Sequence, residues 1–130
     1  MKGIYTPLVM LMITSCVNHE ENLAPVPLQG KWKLVEQLVD PGDGSGEFTD
    51  VSSDKTIQFF GDSKVTSNGS LCSMDVGAIQ QSSGTYDVND GSITPTDCLP
   101  AAVIRYEIKE AHLILTYMCY EGCRSKYVRI

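Results

Sequence analysis

A strand pattern that begins at Gly30 is the feature that most constrains the fold of this chain. Over residues 30–39, Trp32, Leu34 and Leu38 share one parity, and the positions between them are mostly polar. Side chains that alternate with a period of two lie on opposite faces of a β-strand. The segment therefore predicts a strand with one buried face. Because Gly30 has no side chain, neighbouring backbone can pack closely against it where the indole ring of Trp32 is buried.

Seven further short segments follow this strand and are separated by turn residues. They are residues 56–60, 64–67, 84–88, 92–94, 102–109, 113–120 and 124–130. Residues 75–82 are ambiguous, because their apolar spacing would also support one helical turn. Evenly spaced short strands predict an all-β domain, either a small up-and-down antiparallel β-barrel of about eight strands or a sandwich. The barrel is preferred because closure also removes the edge strands.

The N-terminus predicts export and a lipid anchor. Residues 1–15 begin with a basic residue and continue into an apolar run that is too short to span a membrane, as in a signal peptide. The sequence Ile13-Thr14-Ser15-Cys16 resembles a bacterial lipobox, which implies that Cys16 carries an acyl lipid that includes palmitate. The alternative is a buried N-terminal strand with an ordinary cysteine.

Residues 16–27 are predicted to form a flexible tether between the lipid and a barrel domain over residues 28–130, because they are polar and then proline-punctuated without periodicity. Val17 stands where an aspartate would suggest retention at the inner membrane. The lipobox resemblance therefore implies an outer-membrane lipoprotein, on the periplasmic side or at the cell surface.

The charge of the chain excludes some classes of partner. The 130 residues carry a formal net charge of −6, and their lysines and arginines form no cluster. A cluster of this kind is needed to neutralise phosphates, so nucleic acid is not an expected partner. The same charge disfavours adsorption of the folded domain on an anionic membrane surface, which leaves the lipid as the predicted contact with the membrane.

Four cysteines remain after Cys16, and an even number in an exported domain predicts two disulfides. Three connectivities are possible. Cys119 and Cys123 flank a three-residue turn, so a bridge between them is favoured, and Cys72 and Cys98 would then form the other. A four-cysteine zinc site is the alternative, although the paired spacing of zinc ribbons is missing.

Three stretches of the chain resemble lipocalin-like domain lipoproteins. They are Leu28-Gln29-Gly30-Lys31-Trp32-Lys33-Leu34, Gly84-Thr85-Tyr86, and Cys119-Tyr120-Glu121-Gly122-Cys123 with Lys126-Tyr127. The resemblance implies that Trp32 lies at the closed end of the barrel, with Arg129 or Arg124 packed over the indole. Because only about a hundred residues follow the tether, the loops must be short and the interior small.

The same resemblance predicts a binding site inside the barrel. Its candidate ligand contacts are Trp32, Glu36, Phe59, Tyr86 and Tyr106, of which Phe59, Tyr86 and Tyr106 are expected first of all to form the core. A carboxylate inside a barrel needs water or a buried partner, such as Arg105 or Arg129 for Glu36. The alternative is a β-bulge that turns Glu36 outward.

The expected function follows from this site. Neither His19, in the tether, nor His112, at a turn, suggests catalysis, so we expect no enzyme, no cofactor and no bound metal. The first hypothesis is a lipid-anchored envelope barrel that binds a small apolar or amphipathic ligand. The second is a protein-interaction or inhibitor module with a filled barrel, whose loops meet an envelope or host protein. A hollow interior would favour the first, and a filled core with an exposed apolar patch would favour the second.

Overall fold

The computed structural model describes Gly3, residues 27–119 and residues 122–130, and every regular element in this part of the chain is a β-strand. The strands are β1 (Gly30–Val39), β2 (Thr49–Asp50), β3 (Thr56–Phe59), β4 (Lys64–Ser67), β5 (Ser82–Asp87), β6 (Ser92–Pro95), β7 (Ile104–Lys109), β8 (His112–Tyr117) and β9 (Cys123–Arg129). Apart from Gly3, the predicted signal peptide lies outside the described residues. Cys16 and the tether before Pro27 lie outside them as well.

The strands form one closed antiparallel sheet. Each strand pairs with its neighbour in the order β2-β1-β3-β4-β5-β6-β7-β8-β9, and β9 also pairs with β1. β3 pairs with the first part of β1, whereas β2 pairs with the same edge of β1 further along, at Glu36 and Gln37. β2 and β3 are therefore two pieces of a single wall position, and nine strands fill eight positions. The predicted all-β, up-and-down barrel of about eight strands is confirmed.

A β-bulge divides β1 into two parts that face the core with opposite parity. The register of β1 against β9 shifts between Leu34 and Glu36. Before the shift Leu34 lies opposite the buried Tyr127, and after it Gln37 lies opposite the buried Ser125. One extra residue in a strand produces this kind of switch. Trp32 and Leu34 therefore point inward, as the alternation predicts, but Glu36 points outward.

The barrel interior holds a single hydrophobic core to which the strands of all eight wall positions contribute, together with one loop residue. The buried members are Trp32, Leu34, Ile57, Phe59, Val65, Leu71, Tyr86, Ile93, Ile104, Leu113, Leu115, Tyr117 and Tyr127. Full burial of a large apolar side chain contributes roughly 1.5–3 kcal/mol. The inward positions of β1, β3, β4 and β8 thus account for most of the packing, because they supply eight of these residues.

The two ends of the barrel differ in the length of their connections. At the closed end, where β1 begins and β9 ends, residues 60–63, 88–91 and 110–111 form tight turns. Gly91 supplies the positive φ of 65° that its turn requires. At the open end the connections are residues 40–55 (which include β2), 68–81, 96–103 and 118–122. We call residues 68–81 the cap loop.

Candidate functional site

The cap loop reaches across the open end of the barrel from β4 toward β1. Leu71 is buried in the core. Met74 packs against the same core and remains partly exposed to solvent. The disulfide Cys72–Cys98 joins the cap loop to the next connection, residues 96–103, with a Cα–Cα distance of 5.4 Å. The cap loop therefore forms part of the core and closes the end at which a ligand would enter.

Side chains of the barrel wall hold the backbone of the cap loop in place. The carbonyls of four consecutive residues, 73–76, each accept a hydrogen bond from such a side chain. Lys55 donates to Ser73 (3.2 Å) and Asp75 (2.8 Å), Gln37 to Met74 (2.6 Å), and Ser53 to Val76 (2.7 Å). Because a helix would use these carbonyls for its own hydrogen bonds, the helical turn that the apolar spacing permits does not form.

Lys55 is the most deeply buried charged residue among the described residues, with 1% of its surface exposed. Burial lowers the pKa of its ammonium from 10.5 to about 8, although the nearby carboxylate of Asp75 opposes this shift. The aliphatic stem of Lys55 passes beneath Gly69, where a Cβ atom would lie 3.0 Å from Lys55 Cγ and would clash with the carbonyl oxygen of Gly77. The cap loop is thus fitted closely around this one side chain.

Four of the five predicted ligand contacts form part of the core packing. Trp32, Phe59 and Tyr86 are buried, and Tyr106 is partly exposed beside them. The rings of Phe59 and Tyr86 meet edge to face at 5.1 Å, and the Tyr86 hydroxyl donates to the carbonyl of Phe60. These side chains fill the interior rather than line a hollow, and their contact with a ligand stays a prediction.

Glu36, the fifth predicted contact, lies on the outer face of the barrel because of the bulge. Its carboxylate forms an ion pair with Lys126 at 2.7 Å, and the Lys126 ammonium lies 4.2 Å from the centre of the Phe48 ring. The placement of Glu36 inside the barrel is therefore wrong, and its partner is neither Arg105 nor Arg129. The bulge is the alternative that the structure shows.

The indole of Trp32 is held at the closed end in the way that the resemblance implies. Its Nε1 donates to the carbonyl of Leu28 at 2.9 Å, and the guanidinium of Arg129 lies 4.6 Å from the ring centre. Arg129 also donates to the carbonyl of Gln29 at 2.8 Å. Of the two arginines considered, Arg129 is the one that covers the indole, and it fastens the chain entering β1 to the end of β9.

A group of polar side chains faces the interior directly below the cap loop. Gln37 donates to the Ser125 hydroxyl at 3.3 Å as well as to the cap loop. The buried Tyr117 hydroxyl lies near the side chains of Ser125 and Tyr127 but makes no hydrogen bond of good geometry among the described residues, and burial raises its pKa to about 12. A buried hydroxyl without a partner is unfavourable by about 1–3 kcal/mol. This polar cluster (Gln37, Tyr117 and Ser125) is the part of the interior best suited to a polar group of a ligand.

The larger clefts lie outside the barrel wall. Four clefts of about 420–870 Å³ are lined by described residues, and all four are open to solvent. The largest, about 870 Å³, runs between residues 50–54 on one side and residues 76–79 of the cap loop on the other, with Lys33, Leu34 and Val35 of β1 as its floor. We call it the outer groove.

The open end exposes apolar side chains within a strongly acidic surface. Ile79, Leu99 and Met118 are 100%, 98% and 92% exposed, respectively. Residues 40–54, 68–81 and 96–103 contain seven carboxylates and no lysine or arginine. Backbone N–H groups, chiefly those of Gly42 and Gly46, lower the pKa of Asp40, so this carboxylate is ionised at neutral pH. The open end therefore combines exposed apolar side chains with an excess of negative charge.

The cysteines and histidines show no catalytic or metal-binding arrangement in the described part of the chain. Cys72–Cys98 and Cys119–Cys123 are disulfides, as predicted, which leaves these four cysteines unable to form the alternative zinc site. His112 Nδ1 lies 2.9 Å from the carbonyl of Glu110 in a closed-end turn. No group of three potential metal-binding side chains occurs within residues 27–119 and 122–130, and these ranges contain no helix long and apolar enough to cross a membrane.

The comparison with known families agrees with this architecture. A family model described as a lipocalin-like domain matches residues 28–130. The chain belongs to the lipocalin-like domain family. The matched region begins two residues before β1 and includes all nine strands of this lipocalin-like domain. No curated protein and no solved structure matches the chain significantly.

Sequence reasoning missed Lys55, the cap loop and the outer groove. A signal for Lys55 existed, because it shares the parity of the inward-facing Ile57 and Phe59. The outer groove has no comparable signal. It depends on the interruption between β2 and β3, and β2 is only two exposed residues long.

Proposed function

We propose that this lipocalin-like protein is a lipid-anchored, non-enzymatic interaction module of the cell envelope, and that its open end binds a partner protein with an apolar and basic surface. The observation that carries the proposal is the contrast between the two faces of the cap loop. Its inner face completes a filled core, while Ile79 on the same loop is fully exposed. Exposed apolar groups of this kind mark interaction sites when they lie together.

The position of the chain entry supports this orientation. Leu28 and Gln29 are fastened to Trp32 and Arg129 at the closed end. An anchor at Cys16 would therefore hold the closed end toward the membrane. The twelve tether residues span at most about 43 Å when extended, and the open end lies on the far side of the domain from the tether, where it could meet other proteins of the envelope or of a host.

The test uses photo-crosslinking in cells that produce the full-length chain. A benzophenone amino acid is placed at Leu99 or Met118 at the open end, and as a matched control at Val88, which is 67% exposed at the closed end. We expect one partner to be captured from both open-end positions and not from position 88. The purified partner should then bind the parent protein, and Met118→Ser should weaken that binding about tenfold. Equal capture at both ends would contradict the proposal.

A second candidate function is binding of a small amphipathic ligand inside the barrel, which the polar cluster below the cap loop favours. Such a ligand would have to displace the cap loop. Titration of the parent with the amphipathic dye 1-anilinonaphthalene-8-sulfonate tests this. Saturable 1:1 binding that Tyr117→Phe weakens would support the ligand-binding function, and failure to saturate leaves the interaction module in place.

A further inference from the structure

The outer groove has the form of a site for an extended chain segment. Residues 51–55 belong to no strand, although the Val51 amide donates to the carbonyl of Val35 and the Leu34 amide to that of Lys55, both at 3.0 Å. The connection thus bows away from β1 and is held at both of its ends. The cap loop forms the opposite wall, and Ser53 joins the two walls through the carbonyl of Val76 at 2.7 Å.

The lining of the outer groove combines apolar side chains with unpaired carboxylates. Val51, Val76 and Ile79 contribute apolar surface, and Val76 and Ile79 are exposed. Asp50 and Asp54 are exposed at the margin and form no ion pair with any described residue. Lys33 is the one basic residue in the lining. Carboxylates without partners at the rim of an apolar groove favour basic groups in the occupant.

We propose that the outer groove binds an extended segment of the partner protein in which apolar residues alternate with lysine or arginine. This inference rests on the proposed function and adds the part of the partner that is recognised. Successive side chains of an extended segment point to opposite sides. The apolar side chains can therefore contact Val76 and Ile79 on one wall while the basic ones face Asp50 and Asp54 on the other. The seven carboxylates of the open-end segments would favour approach of the same basic segment from solution.

The experiment uses a defined peptide probe with the full-length protein. A fluorescein-labelled octapeptide of alternating valine and lysine, blocked at both termini, is titrated by anisotropy, with an analogue that has glutamate in place of lysine as its control. We expect saturable binding of the lysine peptide alone, weakened by salt because the rim charges are exposed. Amide resonances of Val51, Val76 and Ile79 should shift on binding.

Matched variants separate groove binding from general attraction to an acidic surface. Ile79→Ser, which removes the apolar contact without adding charge, should weaken the lysine peptide about tenfold and Asp54→Asn about threefold. Glu47→Gln removes the same charge from an exposed open-end residue outside the groove lining and should weaken binding much less than Asp54→Asn. Equal loss with Glu47→Gln, equal binding of the glutamate peptide, or no saturable binding would overturn the inference.

Failure of this inference can be distinguished from failure of the proposed function. If crosslinking at Leu99 and Met118 captures a partner whose binding Ile79→Ser leaves unchanged, then the open end is an interaction surface but the outer groove takes no part in it. If neither the peptide nor a crosslinked partner binds, both proposals are wrong.

Discussion

At the scale of single residues, Lys55 is the side chain that most distinguishes this barrel from a simple alternating pattern. Its side chain points into the barrel, and its ammonium donates hydrogen bonds to two carbonyls of the cap loop. A buried charge is unfavourable unless it is paired or hydrogen-bonded. Here the acceptors of the hydrogen bonds are backbone carbonyls of the cap loop. The stability of the cap loop and the protonation of this lysine are therefore linked.

We predict that this linkage makes stability rise with pH above about pH 8. The pKa of Lys55 is about 8 in the folded protein and 10.5 for an ordinary lysine. Below pH 8 both states hold the proton, so the cost of burying the charge is present in full. Between these values the unfolded state binds more protons, so the free energy of unfolding increases with pH. Relative to Lys55→Met, the parent should gain about 1–3 kcal/mol across this window.

Urea denaturation at several pH values measures this difference. Subtraction of the Lys55→Met data removes the titration of the tyrosines, which both proteins share. Lys31→Met, at an exposed position of β1, serves as the control and should show no comparable pH dependence. A constant difference between the parent and Lys55→Met from pH 7 to 10.5 would contradict the prediction.

At the scale of elements, the sequence predicts the strands well and the cap loop poorly. β7 and its hairpin with β8 follow from strict alternation, and β1 follows as far as Leu34. A carboxylate at an inward parity indicates either a polar interior or a bulge, and local alternation cannot decide between them; the structure shows the bulge after Leu34. The apolar spacing of Met74, Val76 and Ile79 permits a helical turn, but distant side chains bind the carbonyls that such a turn would need. Local patterns cannot show such long-range hydrogen bonds.

The two disulfides should contribute unequally to stability. They close segments with sequence separations of 26 for Cys72–Cys98 and 4 for Cys119–Cys123. In the chain-entropy model these loops correspond to about 3.5 and about 2 kcal/mol, respectively. We therefore predict that serine substitution of Cys72 and Cys98 lowers the free energy of unfolding by more than serine substitution of Cys119 and Cys123.

Urea unfolding compares these two variants, and amide hydrogen exchange locates the effect. Loss of Cys72–Cys98 should speed exchange in residues 68–81, because this bridge holds the cap loop. Loss of Cys119–Cys123 should speed exchange near residues 117–123 and leave the cap loop protected. The reverse order of stability, or faster cap-loop exchange in both variants, would contradict this assignment.

At the scale of the whole molecule, the two ends of the barrel differ in charge as well as in structure. The open-end segments 40–54, 68–81 and 96–103 contain seven carboxylates and no lysine or arginine, whereas at the closed end or beside it Lys31, Lys64, Lys109 and Arg129 offset Asp62, Asp87, Asp90 and Glu110. The chain also enters the domain at the closed end. A tethered molecule would therefore keep its acidic end away from an anionic membrane surface.

We predict that Cys16→Ala abolishes membrane attachment and leaves the folded domain unchanged. Lipidation at Cys16 would be the link to the membrane in the proposed orientation, because the acidic domain has little tendency to adsorb by itself. Fractionation of cells into soluble and membrane fractions measures this, with Cys119→Ala and Cys123→Ala together as a cysteine-loss control. Membrane retention of Cys16→Ala equal to that of the parent would show that the anchor assignment is wrong.

The position of Trp32 determines what an optical experiment on this protein can observe. It is the only tryptophan in the chain, it is fully buried, and it lies under Arg129 at the closed end. Its emission should be blue-shifted and should change when β1 separates from β9 in global unfolding. Opening of the cap loop would leave that emission almost unchanged, because the events occur at opposite ends of the barrel. A fluorophore introduced at an open-end position such as Leu99 would be needed to detect local opening before the whole barrel unfolds.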